Sequence, residues 1–293
     1  MNHYQACGFA ISADLPLPMM AVGQAEGTPL AMVAGTVPDR GGEVIGPFTR
    51  AGTDWIAYAV PGVAQFHVTP DTIRWQASPG VDEASIATFL LNSALPCAAM
   101  LAGVLPVRGS CVDLGESAIL LTGAPAAGKS AVAAELVRRK HSLMSDGFAG
   151  VESDGTAVAG VPSLTLSRDT ADALAIDLAD LQPTRPGLER YHWPQALPAL
   201  RKPVGGVYQL IVHTSPEVRF ADIRGADRLA MLRANSFRPL EHQRFGLNPA
   251  MLQMVAALSA KARFRRVWRP VKDLPIAVLA DHILADLDLA EAP

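Results

Sequence analysis

Ser117–Lys140 reads SAILLTGAPAAGKSAVAAELVRRK, and the interpretation of this stretch decides the fold. Ala118–Leu121 is a short apolar run of the kind that forms a buried strand. It passes into Gly123, Ala124, Pro125, Ala126, Ala127, Gly128, Lys129 and Ser130, and Ala131 opens an alanine-rich segment of helical character. Strand, glycine-rich loop with Lys-Ser, and helix, in that order, make a Walker A P-loop in its expected setting. Gly123 and Gly128 let the backbone turn tightly and bring its N–H groups up to phosphate oxygens. The dipole of a helix starting near Lys129 adds positive potential at the same point. In this pattern Lys129 reaches the terminal phosphates and the Ser130 hydroxyl ligates Mg²⁺. Gly123 through Ala131 are therefore the candidate nucleotide-binding segment. With no LSGGQ-like stretch and no N-K-x-D-like base-reading motif, ATP is the expected nucleotide.

Around this centre the chain has 293 residues, enough for one large domain or two modest ones. Hydrophobic residues make up 49% and charged residues 18%, which builds a core and leaves little for long disordered tails. A net charge of −3 argues against partnership with nucleic acid or a membrane surface. Cys7, Cys97 and Cys111 have neither C-x-x-C nor metal-ligand spacing and are expected to be buried free thiols. The opening MNHYQACGFAISADLPLP lacks a basic region followed by an apolar run, so no signal peptide is expected and the location is cytoplasmic. Ile86–Leu105 approaches membrane-spanning length, but Asn92, Ser93 and Pro96 interrupt it. The expectation is a buried helix with a break.

Residues 1–80 are expected to form a smaller β-rich N-terminal domain. Its strands are placed at Tyr4–Ile11, Leu30–Val37, Trp55–Val60 and Ala64–Trp75, the last turning at Thr69-Pro70-Asp71. Residues 81–293 form the P-loop domain, entered through a helical connector with Asp82 as N-cap. Arg108–Asp113 reads as a strand, and Val132, Leu136 and Val137 give the helix after the loop its apolar stripe. The run ending at Asp146 is expected to deliver that carboxylate to the end of a strand beside the P-loop strand. There it can hold Mg²⁺ or accept a proton from an attacking hydroxyl. Arg168–Leu181 reads as a helix capped by Ser167. Gln182–Lys202, rich in Pro and Arg, is either a loop closing over phosphates or a plain connection. Val204–His213 and Phe264–Val271 read as strands, and Ala226–Asn235, Pro249–Ala262 and Leu274–Leu287 as helices. Charged Ser236–Arg244 reads as more surface than site, and His3 and His67 as structural or surface residues.

The stretch LPVRGSCVDLGESAILLTGAPAAGKSAVAAELVRRKHSLMSDGFAGV, Leu105–Val151, resembles the catalytic domain of HPr kinase/phosphorylase. It is more similar still to stand-alone relatives found beside lasso-peptide biosynthesis genes. The opening YQACGFAISADLPLP and the Leu232–Arg238 segment resemble those relatives too. The resemblance implies an α/β P-loop kinase domain of the HPr kinase C-terminal type and ATP- and Mg²⁺-dependent phosphorylation of a serine hydroxyl. In the lasso relatives that serine lies at the C-terminal end of a precursor peptide. Gly123, Gly128, Lys129 and Ser130 match the family's nucleotide loop, and Asp146 matches the first carboxylate of its Asp-Asp pair. Lys129 and Asp146 are then the catalytic residues, and Ser130 and Asp146 the metal ligands. HPr kinases assemble into hexamers, so a homo-oligomer is compatible with the resemblance. Two positions depart from the family: Gly147 stands where the second carboxylate would be, and Arg108 where the family has a histidine. A nucleotide-binding protein without phosphotransfer, and a small-molecule kinase or phosphohydrolase, are the competing readings. Glu152 or Asp154 taking over from the missing acid would favour the kinase.

Overall fold

The computed structural model describes residues 1–23, 26–179, 181–271 and 274–291. Alternating burial shapes its first part: Phe9, Ile11 and Ala13 point inward from one strand, Phe66 and Val68 from another. Eight strands, β1 (Asn2–Ala6), β2 (Phe9–Ala13), β3 (Thr28–Ala34), β4 (Glu43–Gly46), β5 (Thr49–Ala51), β6 (Ile56–Val60), β7 (Ala64–Val68) and β8 (Thr72–Ala77), form one sheet. Their order is β1-β2-β3-β8-β7-β6-β5-β4. The turn at Thr69-Pro70-Asp71 joins β7 to β8 as expected, with the Thr69 hydroxyl donating to Asp71 at 2.6 Å. The single strand expected over Tyr4–Ile11 is instead a hairpin. Cys7 and Gly8 both take positive φ, 55° and 79°, and reverse the chain between β1 and β2. β4 and β5 were not anticipated, because β4 buries no residue fully and shows no alternation.

Asp82 caps the next segment by accepting from Ser85 N at 2.7 Å. α1 (Glu83–Phe89), a π-helical turn at Leu90–Ala94, and α2 (Leu95–Leu101) run on as one helix. The expected break is absent: Leu95 N bonds to Leu90 O, five residues back. This widening relieves the clash that Pro96 would make with the carbonyl of Asn92 in an α-helix. The helix's most apolar window has a mean hydropathy of 1.6, enough by length and composition for a membrane span, yet 67% of it is buried inside the protein.

The second part is built from β9 (Leu105–Asp113), β10 (Ala118–Gly123), α3 (Lys129–Arg138), β11 (Ser142–Ser145), β12 (Phe148–Val151) and β13 (Thr156–Val158). It continues through β14 (Ser163–Ser167), α4 (Arg168–Ala173), β15 (Gln182–Pro183), β16 (Arg190–Pro194), β17 (Arg201–His213) and β18 (Arg219–Asp222). It closes with α5 (Ala226–Asn235), α6 (Asn248–Lys261), β19 (Arg263–Pro270) and α7 (Ile276–Glu291). β10 pairs with β9 on one edge, antiparallel, and with β17 on the other, parallel. Its residues alternate between two cores. Ala118 and Leu120 pack toward a cluster shared with the N-terminal sheet, while Ile119 and Leu121 pack toward α3 and α7. Both faces of the P-loop sheet are therefore covered, which explains the continuous apolar run. The architecture is mixed α/β, a P-loop domain accompanied by a β-rich region.

Three expectations need correction. β11 does not lie beside the P-loop strand: it pairs with β9, which stands between them. The helix expected over Arg168–Leu181 ends at Ala173, although Ser167 caps it by accepting from Thr170 N. Asp177 diverts the chain into a turn, accepting from Ala179 N at 2.9 Å, and Asp180 lies outside the described residues. Gln182–Lys202 is not a plain loop, since β15 and β16 join β14 in a three-stranded sheet. Edge strand β18, with no fully buried residue, was also unanticipated. The three cysteines are buried and free, as expected, and burial pushes each thiol up to about 12, which leaves them unreactive.

Candidate active site

β10 delivers Gly123 to the head of the loop at φ 130°, where a Cβ would stand 2.4 Å from the Leu210 carbonyl oxygen of β17. Only glycine permits the parallel pairing to continue that far. Ala124, Pro125 and Ala126 are exposed at the loop's tip, Ala126 with φ 62°, and Ala127 is buried behind them. Gly128, at φ 98°, turns the chain into α3, whose leading N–H groups lie free of intrahelical partners. Lys129 curls back onto the loop, donating to Gly123 O at 3.1 Å and Ala124 O at 2.8 Å. Burial lowers its pKa from the ordinary lysine value, against the opposing pull of the Asp146 carboxylate.

Asp146 stands where β11 ends and is only 5% exposed. Its Oδ1 accepts from the Ser130 hydroxyl at 2.9 Å and from the Ser110 hydroxyl at 2.6 Å, while Oδ2 accepts from Thr165 N at 3.0 Å. The structure thus brings Lys129, Ser130 and Asp146 together even though β9 intervenes. A cleft of about 340 Å³ opens beside them. Gly128, Lys129, Ser130 and Ala131 form one wall, Thr165 and Arg190 a second, and Leu274 and Ile276 an apolar third. Arg269 completes the rim, donating to Ala127 O at 2.8 Å and to Ala126 O at 3.3 Å. Burial lowers its pKa from the usual arginine value.

Other charged candidates lie elsewhere. Glu152 pairs with Arg201 at 3.0 Å, and Asp154 accepts from Thr156 N. β12 runs away from the loop, with Phe148 opposite Arg108 and Val151 opposite Leu105, so neither acid stands in for the one absent at Gly147. Arg108 sits on β9 at the loop end, its guanidinium 5.8 Å from the centre of the Phe237 ring. Within Ser236–Arg244, Arg238 lies over Tyr58 and Arg244 binds Glu43 and the Ala51 carbonyl, so these groups grip the N-terminal sheet. Arg138 and Arg139 pair with Glu135 at the end of α3.

Ser110 and Arg269 were missed from the sequence, and Arg190 was read only as part of a segment that either closes over phosphates or connects. The signal for Ser110 was a lone hydroxyl in a strand buried at every position but Arg108. For the arginines it was only their abundance, since their place depends on contacts across the fold.

His192 stands opposite Thr165 across the β14–β16 pair and is 6% exposed, with neither ring nitrogen hydrogen-bonded among the described residues. Burial lowers its pKa from 6.5 to about 4. As pH falls, the unfolded chain takes up this proton first, so stability declines from pH 6.5 to about 4 and then levels. Chemical denaturation across that range should show the decline in the wild type and a flatter profile in His192→Leu. An identical slope in both would refute the assignment.

No family model matches the chain. Over 84 residues it is 37% identical to the HPr kinase/phosphorylase of Clostridium botulinum (strain Eklund 17B / Type B) and, equally, to that of strain Alaska E43 / Type E3. The match spans 28% of this chain and 28% of the length of each relative. Among solved structures, the Hpr(Ser) kinase/phosphatase from Coxiella burnetii aligns at a TM-score of 0.30 and 11% identity, covering 64% of this chain and 94% of that one. Over the matched 84 residues, the chain is homologous to HPr kinase/phosphorylase.

Proposed function

We propose that this protein is an ATP-dependent kinase of the HPr kinase/phosphorylase kind, acting in the cytoplasm on a serine hydroxyl of a peptide. The acceptor to which the sequence resemblance points is the C-terminal serine of a lasso precursor. The observation that carries the reading is the contact of the loop hydroxyl, Ser130, with the strand-end carboxylate, Asp146, at 2.9 Å. That pair offers hard oxygen donors suited to Mg²⁺. Among the described residues no cluster of three or more His, Cys, Asp or Glu side chains could cage a metal alone. This fits an ion held partly by nucleotide phosphates. When bound, Mg²⁺ supplies charge neutralisation at the phosphates.

The chain's own residues do the rest. Lys129 leaves the carbonyls of Gly123 and Ala124 and places its ammonium on the terminal phosphates. The N–H groups at the start of α3 hold phosphate oxygens, and Arg269 reinforces the loop from the side. Asp146 orients the acceptor hydroxyl and takes its proton as the new O–P bond forms and the bridging O–P bond breaks. Ser110 and the Thr165 N–H keep the carboxylate in place for that step.

A second reading, nucleotide binding without transfer, is favoured by one observation: Glu152 and Asp154 leave Asp146 without a companion acid. Mass spectrometry of a candidate lasso precursor incubated with ATP and Mg²⁺ separates the two. One added phosphate, lost with Lys129→Ala, supports the kinase. No transfer alongside intact ATP binding supports the second reading.

A further inference from the structure

From Phe89 to Leu101 the long helix is apolar except at Asn92 and Ser93. Asn92 lies inside the π-helical turn and is exposed, while Leu90, Leu91, Ala94 and Leu95 around it are buried. π turns of this kind are rare and gather at functional sites. Its position has a second peculiarity. Gly147, directly after Asp146, has φ 83°, and a Cβ there would stand 3.2 Å from Asn92 Oδ1. The amide oxygen therefore overhangs bare backbone beside the carboxylate, in the space that any side chain at position 147 would enter. On its other side Gly147 O accepts from Gly109 N at 3.1 Å, and Gly109 pairs with Thr122 at the end of the P-loop strand. The end of the P-loop strand, Gly109, Gly147 and Asn92 thus follow one another, side by side, at the level where β10 enters the loop.

We propose that Asn92 binds the phosphoryl acceptor, its side-chain amide pairing with a peptide group of the acceptor chain over the open backbone of Gly147. The inference rests on the kinase reading for the identity of the bound chain as acceptor. A primary amide has both a donor and an acceptor, the complement of a peptide C=O and N–H. Being neutral, it adds no charge beside phosphates, where a second carboxylate would. Gly147 leaves room for a chain to approach, and the extra residue of the π turn lets Asn92 face outward while its neighbours remain in the core.

The test is fluorescence anisotropy of a labelled synthetic peptide ending in serine, added to the full chain loaded with Mg²⁺ and a non-hydrolysable ATP analogue. Asn92→Ala is expected to weaken peptide binding about tenfold, the order of one or two lost hydrogen bonds, with nucleotide affinity unchanged. Gly147→Ala keeps the amide but sets a Cβ 3.2 Å from its oxygen, at a backbone φ of 83° that strains any side chain, and should weaken the peptide in the same direction. Nucleotide titration of each variant shows that the loop is still folded. Unchanged peptide affinity in both variants, parallel loss of peptide and nucleotide, or no peptide binding to the wild type would each overturn the proposal. Peptide held through Asn92 but never phosphorylated would remove the kinase reading and leave the peptide site standing.

Discussion

Lys129→Ala is expected to reduce phosphotransfer by a factor of about a thousand or more, the scale of removing one preorganised charge from a transition state. The reason lies in what the ammonium touches. In the structure it rests on the carbonyls of Gly123 and Ala124, within the loop itself, and it is partly buried. Alanine leaves the Ala124 carbonyl, at the exposed tip of the loop, to be solvated and removes one donor from the carbonyl of buried Gly123, so the fold should survive and the loss should fall on the phosphate site. Comparing turnover with thermal unfolding of the same variant checks both halves. Ordinary turnover in a folded Lys129→Ala protein would remove the P-loop from the mechanism.

Asp146→Asn should cut turnover by about two to four orders of magnitude if the carboxylate handles the acceptor proton. It should also lower stability. Asp146 receives donors on both oxygens, from Ser110 and Ser130 on one and Thr165 N on the other. An amide keeps its oxygen on Thr165 N only by turning its NH₂ to the Ser110 and Ser130 hydroxyls, which must then accept where they now donate, and the loss of these bonds to a charged carboxylate costs about 1–3 kcal/mol. Chemical denaturation measures that cost, and single-turnover kinetics beside nucleotide titration measure the rest. A loss of chemistry far beyond the loss of nucleotide affinity supports the proton-handling role. Equal losses would make Asp146 chiefly a metal ligand.

What could be read from the sequence was what is local. The strand, loop and helix around Gly123–Ser130 announce themselves because backbone conformation, apolar period and chemistry coincide within a few residues. The N-cap roles of Asp82 and Ser167 were legible for the same reason. The neighbour of the P-loop strand was not legible. Strand partners are chosen by packing across the chain, and β9 could insert between β10 and β11 without any mark in the run that ends at Asp146. The three-stranded sheet around β16 was hidden in a Pro- and Arg-rich segment without a steady period. Cys7 takes a positive φ that its residue type does not announce, and a single Gly8 inside an apolar run is compatible with a strand, so β1 and β2 looked like one strand. Arg269 meets the loop from 142 residues away, a distance that no spacing argument spans.

The last helix ties these parts mechanically. α7 packs Leu279 and Ile283 against α3, and its first turn lends Ile276 to the wall of the cleft. At the opposite end of α3, Arg139 clasps Asp281 and the Ala277 carbonyl. Asp286 is buried and fastened to Arg265 and Tyr208. α7 is thus a splint laid along the helix that begins at the phosphate loop, fixed at both ends. Shortening the chain by this one helix would strip a wall from the cleft and free α3 to shift along its length. Such a truncation would register in the laboratory as lost nucleotide affinity, although every residue of the glycine-rich loop had been left untouched.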